Sequence, residues 1–238
     1  MSSCLACEEG YYCESGQDAY ETNECPEGHY CQASTFFEVH YPCGIGTYNA
    51  DPLGADESTV CIDCESTKFC SLFGMDTHTG DCPPGFYCEA GLEYPSPVDS
   101  SNGQMCVPGT YCPGDTDVPT DCDENYFCDK YGQDSTDTVN NLCSDGFICD
   151  TGLSVGTPED IDEGVSDFCP KGSWCQGGDP TECLAGTYMP SEEKGQDGIN
   201  DCIQCPYGNF YNFLLLNLIG MYCATDGLDA PTGPCDPG

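Results

Sequence analysis

The sequence has no arginine and only four lysines, against 42 aspartates and glutamates, which gives a formal net charge of −38 over 238 residues. A chain of this charge repels the phosphates of nucleic acids and the anionic headgroups of membranes. We therefore expect neither as a partner. The acidic residues are spread along the chain, where they favour solubility and repulsion between neighbouring molecules. Loose binding of calcium is the alternative interpretation.

The sequence also has no long apolar run and no recognisable leader. Met1 is followed by Ser-Ser-Cys, without the basic start and apolar stretch of a signal peptide, so we expect a mature or partial chain. The most apolar stretch, residues 210–222, is shorter than the ~20 residues of a membrane span and contains Asn212 and Asn217. We favour burial of this stretch against a neighbouring chain over a local core or a membrane span. The expected contact residues are Phe210, Phe213, Leu214, Leu215, Leu216, Leu218 and Ile219.

Residue patterns for catalysis and cofactor binding are missing as well. His29, His40 and His78 are isolated, and we expect no enzyme activity. The acidic segments 115–123 and 134–137 lack the ligand spacing of an EF-hand. Calcium binding therefore remains an alternative without assigned ligands, and we expect no other cofactor. There is no Asn-x-Ser/Thr sequon, so any sugars would be O-linked.

Cysteine is the residue present in abundance, with 24 copies in a chain rich in glycine and proline. Such a composition indicates a disulfide scaffold formed in an oxidising compartment. The Cys-x2-Cys pairs could bind zinc, but within so dense a cysteine pattern we interpret them as disulfide partners. We expect an extracellular or cell-surface location.

The cysteines follow a short repeat, Cys-x-x-Gly-x-aromatic, usually closed by a second cysteine. Eight copies have the form Cys-x5-Cys: Cys7/Cys13, Cys25/Cys31, Cys64/Cys70, Cys82/Cys88, Cys106/Cys112, Cys122/Cys128, Cys143/Cys149 and Cys169/Cys175. Three copies without the closing cysteine begin at Cys43, Cys183 and Cys205. We number the eleven copies repeats 1–11 in chain order.

Glycine stands three residues after the first cysteine in nine of the eleven repeats, and the exceptions are Thr67 and Asn125. This spacing predicts a tight turn with a left-handed residue, which places one aromatic ring beside one cystine. Units of this kind contact only their neighbours. We predict a small disulfide-rich fold: an elongated rod of tandem cysteine-rich repeats, mostly turns and short β-hairpins, with almost no helix.

A longer period is superimposed on the repeats. Cys-x2-Cys pairs recur at Cys4/Cys7, Cys61/Cys64 and Cys202/Cys205, and Gly-Thr-Tyr copies open at Cys43 and Cys183. This phasing predicts four segments. They are repeats in 1–42, a Gly-Thr-Tyr module plus repeats in 43–105, repeats in 106–182, and in 183–238 a Gly-Thr-Tyr module with the apolar stretch and an incomplete terminal repeat.

The stretch from Cys43 to Cys70, with Cys-Gly-Ile-Gly-Thr-Tyr and then Cys-Ile-Asp-Cys, resembles known modules. These are the cysteine-rich repeats of tumour-necrosis-factor receptors and the ephrin-receptor-like repeats, which recur in large surface proteins of protists, including flagellar mastigonemes. The chain departs from the receptor pattern in having more Cys-x5-Cys copies and much more acid.

The resemblance implies a disulfide pairing. Cys43 would pair with Cys61 and Cys183 with Cys202. Consecutive Cys-x5-Cys repeats would interlock as Cys7–Cys25 with Cys13–Cys31, Cys64–Cys82 with Cys70–Cys88, Cys106–Cys122 with Cys112–Cys128, and Cys143–Cys169 with Cys149–Cys175. Cys205 would pair with Cys235, which leaves Cys4 and Cys223 for a bridge between protomers.

The repeats, the absent chemistry and the apolar stretch predict a structural subunit of an extracellular filament or surface hair, which self-associates head to tail. Both ends of the chain look cut within a repeat. We interpret this equally well as a sign of head-to-tail joining or as a sign that the chain is a fragment of a longer repeat protein. The alternative function is an adhesion or receptor ectodomain that binds a protein ligand. That function predicts a patch of exposed aromatic residues away from the repeat positions. A third interpretation is an accessory module of a secreted enzyme.

Overall fold

The computed structural model describes residues 7–14, 23–97, 102–137, 139–157, 166–190, 196–206 and 220–235. Within these ranges the regular elements are short. One helical turn, α1, spans Glu57–Val60, and a 3-10 turn spans Ile199–Asp201. The strands are β1 Thr47–Tyr48, β2 Ile62–Asp63, β3 Lys68–Phe69, β4 Gly80–Asp81, β5 Phe86–Cys88, β6 Gly103–Met105, β7 Thr110–Tyr111, β8 Thr120–Asp121, β9 Phe147–Cys149, β10 Ser166–Phe168, β11 Ser173–Gln176, β12 Asp179–Glu182, β13 Thr187–Tyr188, β14 Ile203–Gln204, β15 Met221–Tyr222 and β16 Gly233–Pro234.

The strands form two-stranded sheets in which each strand pairs with its neighbour in sequence, β1 with β2 through to β15 with β16. The pairs with a defined register are antiparallel. The prediction of a disulfide-rich fold of short hairpins with almost no helix is confirmed. The four-segment division of the chain stays a prediction.

The chain divides into two compact parts. The first contains residues 1–107, 111–120 and 131–135, and the second contains 108–110, 121–130 and 136–238. The repeat-to-repeat contacts described below each lie within one part.

In repeats 1–10, the residue three positions after the first cysteine adopts the left-handed conformation that the spacing predicts. In repeat 2, Gly28 has φ +77°, and the His29 amide donates to the Pro26 carbonyl across the turn. The two exceptions keep the same geometry, since Thr67 has φ +72° and Asn125 has φ +69°. The turn is therefore a property of the whole repeat and not only of its glycines.

Each Cys-x5-Cys copy is closed by its own disulfide, so the interlocked pairing implied by the resemblance is wrong. The tight turn brings the two cysteines of one repeat opposite each other, with Cα–Cα distances of 5.6–6.2 Å. These distances are in the usual range for a disulfide. The observed bonds are Cys7–Cys13, Cys25–Cys31, Cys64–Cys70, Cys82–Cys88, Cys106–Cys112, Cys122–Cys128, Cys143–Cys149 and Cys169–Cys175.

The two Gly-Thr-Tyr copies have the longer bonds that the resemblance implied, Cys43–Cys61 and Cys183–Cys202. In these copies Asn49 and Met189 stand at the position of the closing cysteine, and both are buried. The Asn49 carbonyl accepts a hydrogen bond from the Gly28 amide of the preceding repeat. The position therefore keeps its structural role without its sulfur.

Backbone hydrogen bonds join each repeat to the next. Between repeats 2 and 3, the Cys43 amide donates to the Gly28 carbonyl at 2.8 Å, and the Gly28 amide donates to the Asn49 carbonyl at 2.7 Å. The Leu53 amide of repeat 3 donates back to the Cys25 carbonyl at 2.9 Å. The same bonds recur along both parts, for example from Cys25 to Gly10 and from Cys183 to Gly172. Disulfides thus close the repeats, and hydrogen bonds connect them.

The turn residue of one repeat also packs against the backbone two repeats further on. A Cβ atom placed on Gly28 would lie against the Gly74 carbonyl oxygen, and one placed on Gly85 would lie 2.5 Å from the Gly132 oxygen. At Gly28 and Gly85, glycine avoids the strain of a positive φ and also allows the close approach of the two backbones, which a Cβ atom would prevent.

The core of each part is made largely of cystines. Among the described residues, most paired cysteines are buried, and the other buried aliphatic or aromatic side chains are Leu92, Phe147, Leu153 and Met189. The aromatic ring before the closing cysteine packs toward the following repeat. Phe69 contacts the cluster around Cys82 and Cys88, and Trp174 contacts the cluster around Cys183 and Cys202.

Where repeat 4 has Thr67 in place of glycine, a polar contact spans two repeats. The Lys68 ammonium lies 2.7 Å from carboxylate oxygens of both Asp81 and Asp115. Hydrogen bonds from Lys68 and Thr67 lower the pKa of the Asp115 carboxyl, and hydrogen bonds to Asp115 and Asp81 raise the pKa of Lys68.

These shifts predict a stability contribution that is confined between two pH limits. The lowered Asp115 pKa stabilises the fold above the ordinary carboxyl value of about 3.9, and this is lost as pH falls through the lowered value. The raised Lys68 pKa stabilises the fold below about 10.4, and this is lost as pH rises through the raised value. In Lys68→Gln these contacts are lost, so we expect the melting temperature to fall less steeply at low pH and at high pH than it does in the unsubstituted protein.

Lys130→Gln serves as the matched control, because the Lys130 ammonium lies 3.8 Å from the carboxylate of its sequence neighbour Asp129 and bridges no repeats in that pair. Identical pH profiles for the two variants would contradict a stabilising role for the contacts of Lys68.

Candidate interaction surface

The predicted contact residues from Phe210 to Ile219, like Cys4, lie outside the described residues. The cysteines that flank this stretch are described, and they overturn two predictions. Cys223 is bonded to Cys205, which removes both the Cys205–Cys235 pair and the bridge from Cys223 to Cys4 of another protomer.

The turn of repeat 11 lies at a different glycine from the one that the sequence predicts. The sequence pattern places this turn at Gly208. In the other repeats, the amide of each opening cysteine donates to the carbonyl of the preceding turn residue, and here the Cys235 amide donates to the Gly220 carbonyl. The Met221 amide donates to the Pro206 carbonyl, which is the bond that closes the turn in the other repeats. Gly220-Met-Tyr-Cys223 is therefore the second half of a Cys-x5-Cys repeat, and residues 207–219 replace the single residue between Pro206 and the turn glycine.

Cys235 is exposed and has no disulfide partner among the described residues. Pairing of β15 with β16 and the bond to Gly220 place it at the position of an opening cysteine.

A different group of apolar residues lies on the described surface of the first part. Phe36, Phe37 and Val39 are 63%, 66% and 58% exposed, although the cysteine core is close by in sequence. They belong to the segment between Cys31 and Cys43 and occupy no repeat position. We call Tyr30, Phe36, Phe37, Val39, His40 and Tyr41 the aromatic surface.

Four rings of the aromatic surface form a row. Tyr41 stacks on Tyr30 with ring centroids 5.3 Å apart, and His40 meets Tyr41 edge-on at 4.3 Å. Phe37 lies 6.3 Å from His40, and the His40 amide donates to the Phe37 carbonyl in a turn. Tyr30 is half-buried and its amide donates to the Tyr41 carbonyl at 2.9 Å, so the row is anchored at this end and exposed at Phe37.

Carboxylates flank the row on two sides. The Tyr12 hydroxyl donates to Glu38 at 3.4 Å, and the Tyr30 hydroxyl donates to Glu57 at 3.2 Å. Desolvation raises the pKa of both phenols, and the two glutamates raise it further. The tyrosines therefore stay neutral donors and fix the carboxylates beside the exposed rings.

Within the described ranges, no three histidine, cysteine, aspartate or glutamate side chains converge as a metal ion would require. The helices in the same ranges are too short and too polar to cross a bilayer.

No protein-family model matches the chain. The chain is similar to zonadhesin of Mus musculus, with 25% identity over 261 aligned residues. The alignment includes 96% of this chain but only 4% of zonadhesin, so the chain spans a small part of the length of the relative that it matches. An extracellular or cell-surface location fits both the similarity and the disulfides. The ephrin-receptor-like or tumour-necrosis-factor-receptor-like family stays a prediction.

The aromatic surface was not among the sequence-predicted site residues. Its signal in the sequence is the run Phe-Phe-Glu-Val-His-Tyr at 36–41, which is apolar in a chain whose other inter-cysteine segments are mostly polar and acidic. Only the alternative function, an adhesion or receptor ectodomain, anticipated a patch of this kind.

Proposed function

We propose that the chain is a segment of an extracellular adhesion-type protein that binds a protein ligand through the aromatic surface. The observation that carries the proposal is the exposure of Phe36 and Phe37, whose side chains are not part of the buried core. Exposed aromatic clusters of this kind are typical of interaction sites, because a solvated apolar patch is otherwise unfavourable.

The repeat structure supports this role by holding the loop in place. The Cys25–Cys31 bond precedes the loop, and the Cys43–Cys61 bond follows it. The Cys43 amide is bonded to Gly28, and the Tyr30 amide donates to the Tyr41 carbonyl at 2.9 Å. A surface held in this way loses little conformational entropy on binding, which favours affinity.

Similarity to zonadhesin supports the adhesion class, since zonadhesin is an extracellular adhesion protein. Because the chain matches so little of zonadhesin, the ligand of this chain has to be found by experiment.

The test measures how many beads coated with the protein attach to living cells of the organism from which the protein comes. We expect attachment that soluble protein blocks, and that falls severalfold when the beads carry Phe36→Ser/Phe37→Ser. Beads carrying Leu72→Ser/Phe73→Ser are the control, because Leu72 and Phe73 are exposed to a similar degree on another loop. Equal attachment of all three bead types would overturn the proposal.

A structural filament subunit is the second candidate, and the hydrogen-bond ladder favours it. Each repeat satisfies backbone groups of the one before it, so a further repeat from another molecule could extend the ladder. Negative-stain images decide this: fibres with a regular axial repeat support the filament, and dispersed single particles contradict it.

A further inference from the structure

We propose that the aromatic surface binds a cationic segment of the partner protein, one in which arginine or lysine alternates with apolar residues. This inference rests on the proposed function and names the chemistry of its ligand.

Negative charge surrounds the aromatic surface. The sequence has no lysine or arginine before Lys68, so the loop and the repeats on either side of it carry no permanent positive charge. Glu38 lies within the loop, Glu14 raises the pKa of the neighbouring Tyr12 phenol, and Asp56 and Glu57 do the same at Tyr30. The rings thus lie in a field of carboxylates.

The one lysine of the first compact part, Lys68, does not neutralise these carboxylates. Its ammonium is already bonded to Asp81 and Asp115. A ligand would therefore supply the missing positive charge.

The exposed rings themselves can bind a cation. The faces of phenylalanine and tyrosine rings attract guanidinium and ammonium groups, and a carboxylate beside the ring adds a separate attraction for the same cation. The Glu38 carboxylate, adjacent in sequence to Phe37 and fixed by the Tyr12 hydroxyl, would accept a hydrogen bond from the same cation. Apolar residues of the ligand would cover Phe36 and Val39.

Charge also argues against a second copy of the chain as the occupant. Two copies would bring together two molecules of net charge −38, whose repulsion opposes contact between like surfaces. A cationic partner instead gains attraction at the same place.

The test uses the intact protein and three labelled synthetic peptides of equal length, with alternating Arg-Leu, Gln-Leu or Glu-Leu. Fluorescence anisotropy at about 0.15 M salt measures their affinities. We expect the Arg-Leu peptide to bind best and Phe36→Ser/Phe37→Ser to weaken it roughly tenfold, because two ring faces are lost. Glu38→Gln should weaken it severalfold, and Leu72→Ser/Phe73→Ser should leave it unchanged.

Each other outcome overturns a stated part of the proposal. Arg-Leu binding that is absent, or that is unaffected by loss of Phe36 and Phe37, removes the cationic ligand from this surface. Equal binding of the Gln-Leu peptide, with the same dependence on the two phenylalanines, keeps the binding surface but contradicts the cationic class. Sedimentation that shows a dimer lost in Phe36→Ser/Phe37→Ser would make a second copy the occupant. The bead assay is independent of all three results, so failure of adhesion is recognised separately.

Discussion

Gly28→Ala should destabilise the first compact part by about 2–5 kcal/mol. A left-handed residue with a Cβ costs roughly 1–2 kcal/mol, and Gly28 has φ +77°. The added Cβ would also lie against the Gly74 carbonyl oxygen and 2.7 Å from its carbonyl carbon, so the backbone two repeats away has to move, at a further cost of roughly 1–3 kcal/mol. The measurement is chemical denaturation of the oxidised protein.

Alanine substitutions at two other glycines distinguish the backbone strain of a positive φ from the cost of the contact with the Gly74 backbone. Gly186 has φ +92°, but a Cβ added there would have no described atom within 4 Å, so Gly186→Ala carries only the backbone strain. Gly44 has neither a positive φ nor a close contact, and Gly44→Ala should be nearly neutral. If Gly28→Ala and Gly186→Ala destabilise equally, the contact between alternate repeats contributes nothing.

The second large effect is removal of one short disulfide. Cys25→Ala/Cys31→Ala should lower the free energy of unfolding by about 2–4 kcal/mol, since the unfolded chain loses one of its cross-links and two buried sulfur atoms are lost. Denaturant titration under oxidising conditions measures the loss.

A count of free thiols in the same variant gives a sharper result. Because Cys25 and Cys31 bond only to each other, their removal should release no thiol beyond those of the unsubstituted protein. Interlocked repeats would instead leave Cys7 and Cys13 without partners. Two additional reactive thiols would therefore contradict closure within the repeat.

Local features of the fold were predictable from the sequence because they depend on residues a few positions apart. The spacing of cysteine, glycine and aromatic residues predicts the left-handed turn, and this holds even at Thr67 and Asn125. Scarcity of aliphatic residues and abundance of cysteine predict short hairpins around cystines. The same patterns also led to the long bond of Cys43 with Cys61, through the resemblance to known modules.

Disulfide pairing of the short repeats was not predictable, because every spacing argument fits a bond within a repeat as well as one between repeats. The geometry decides it, since the turn brings Cys25 within 5.7 Å of Cys31 at their Cα atoms. Repeat 11 was assigned wrongly for a related reason. Gly208 and Gly220 both follow Cys205 in a repeat-like context, and only the bond from Cys235 shows which one forms the turn.

The aromatic surface could not be located from the sequence because exposure depends on what covers a loop. A run such as Phe36-Phe37 in a chain with few apolar residues is as expected in a small core as on a surface. In the structure the cystines fill the core, and the two phenylalanines are left in solvent.

The central claim is that each short repeat is closed by its own disulfide and joined to the next repeat by hydrogen bonds. Disulfide mapping of the unreduced protein tests it most directly. A protease that cleaves after glutamate would cut at Glu24, at Glu27 between Cys25 and Cys31, and at Glu38. We predict that the peptides 25–27 and 28–38 remain joined to each other through Cys25 and Cys31, and to no other peptide. A product that joins Cys7 to Cys25, or Cys13 to Cys31, would contradict the claim.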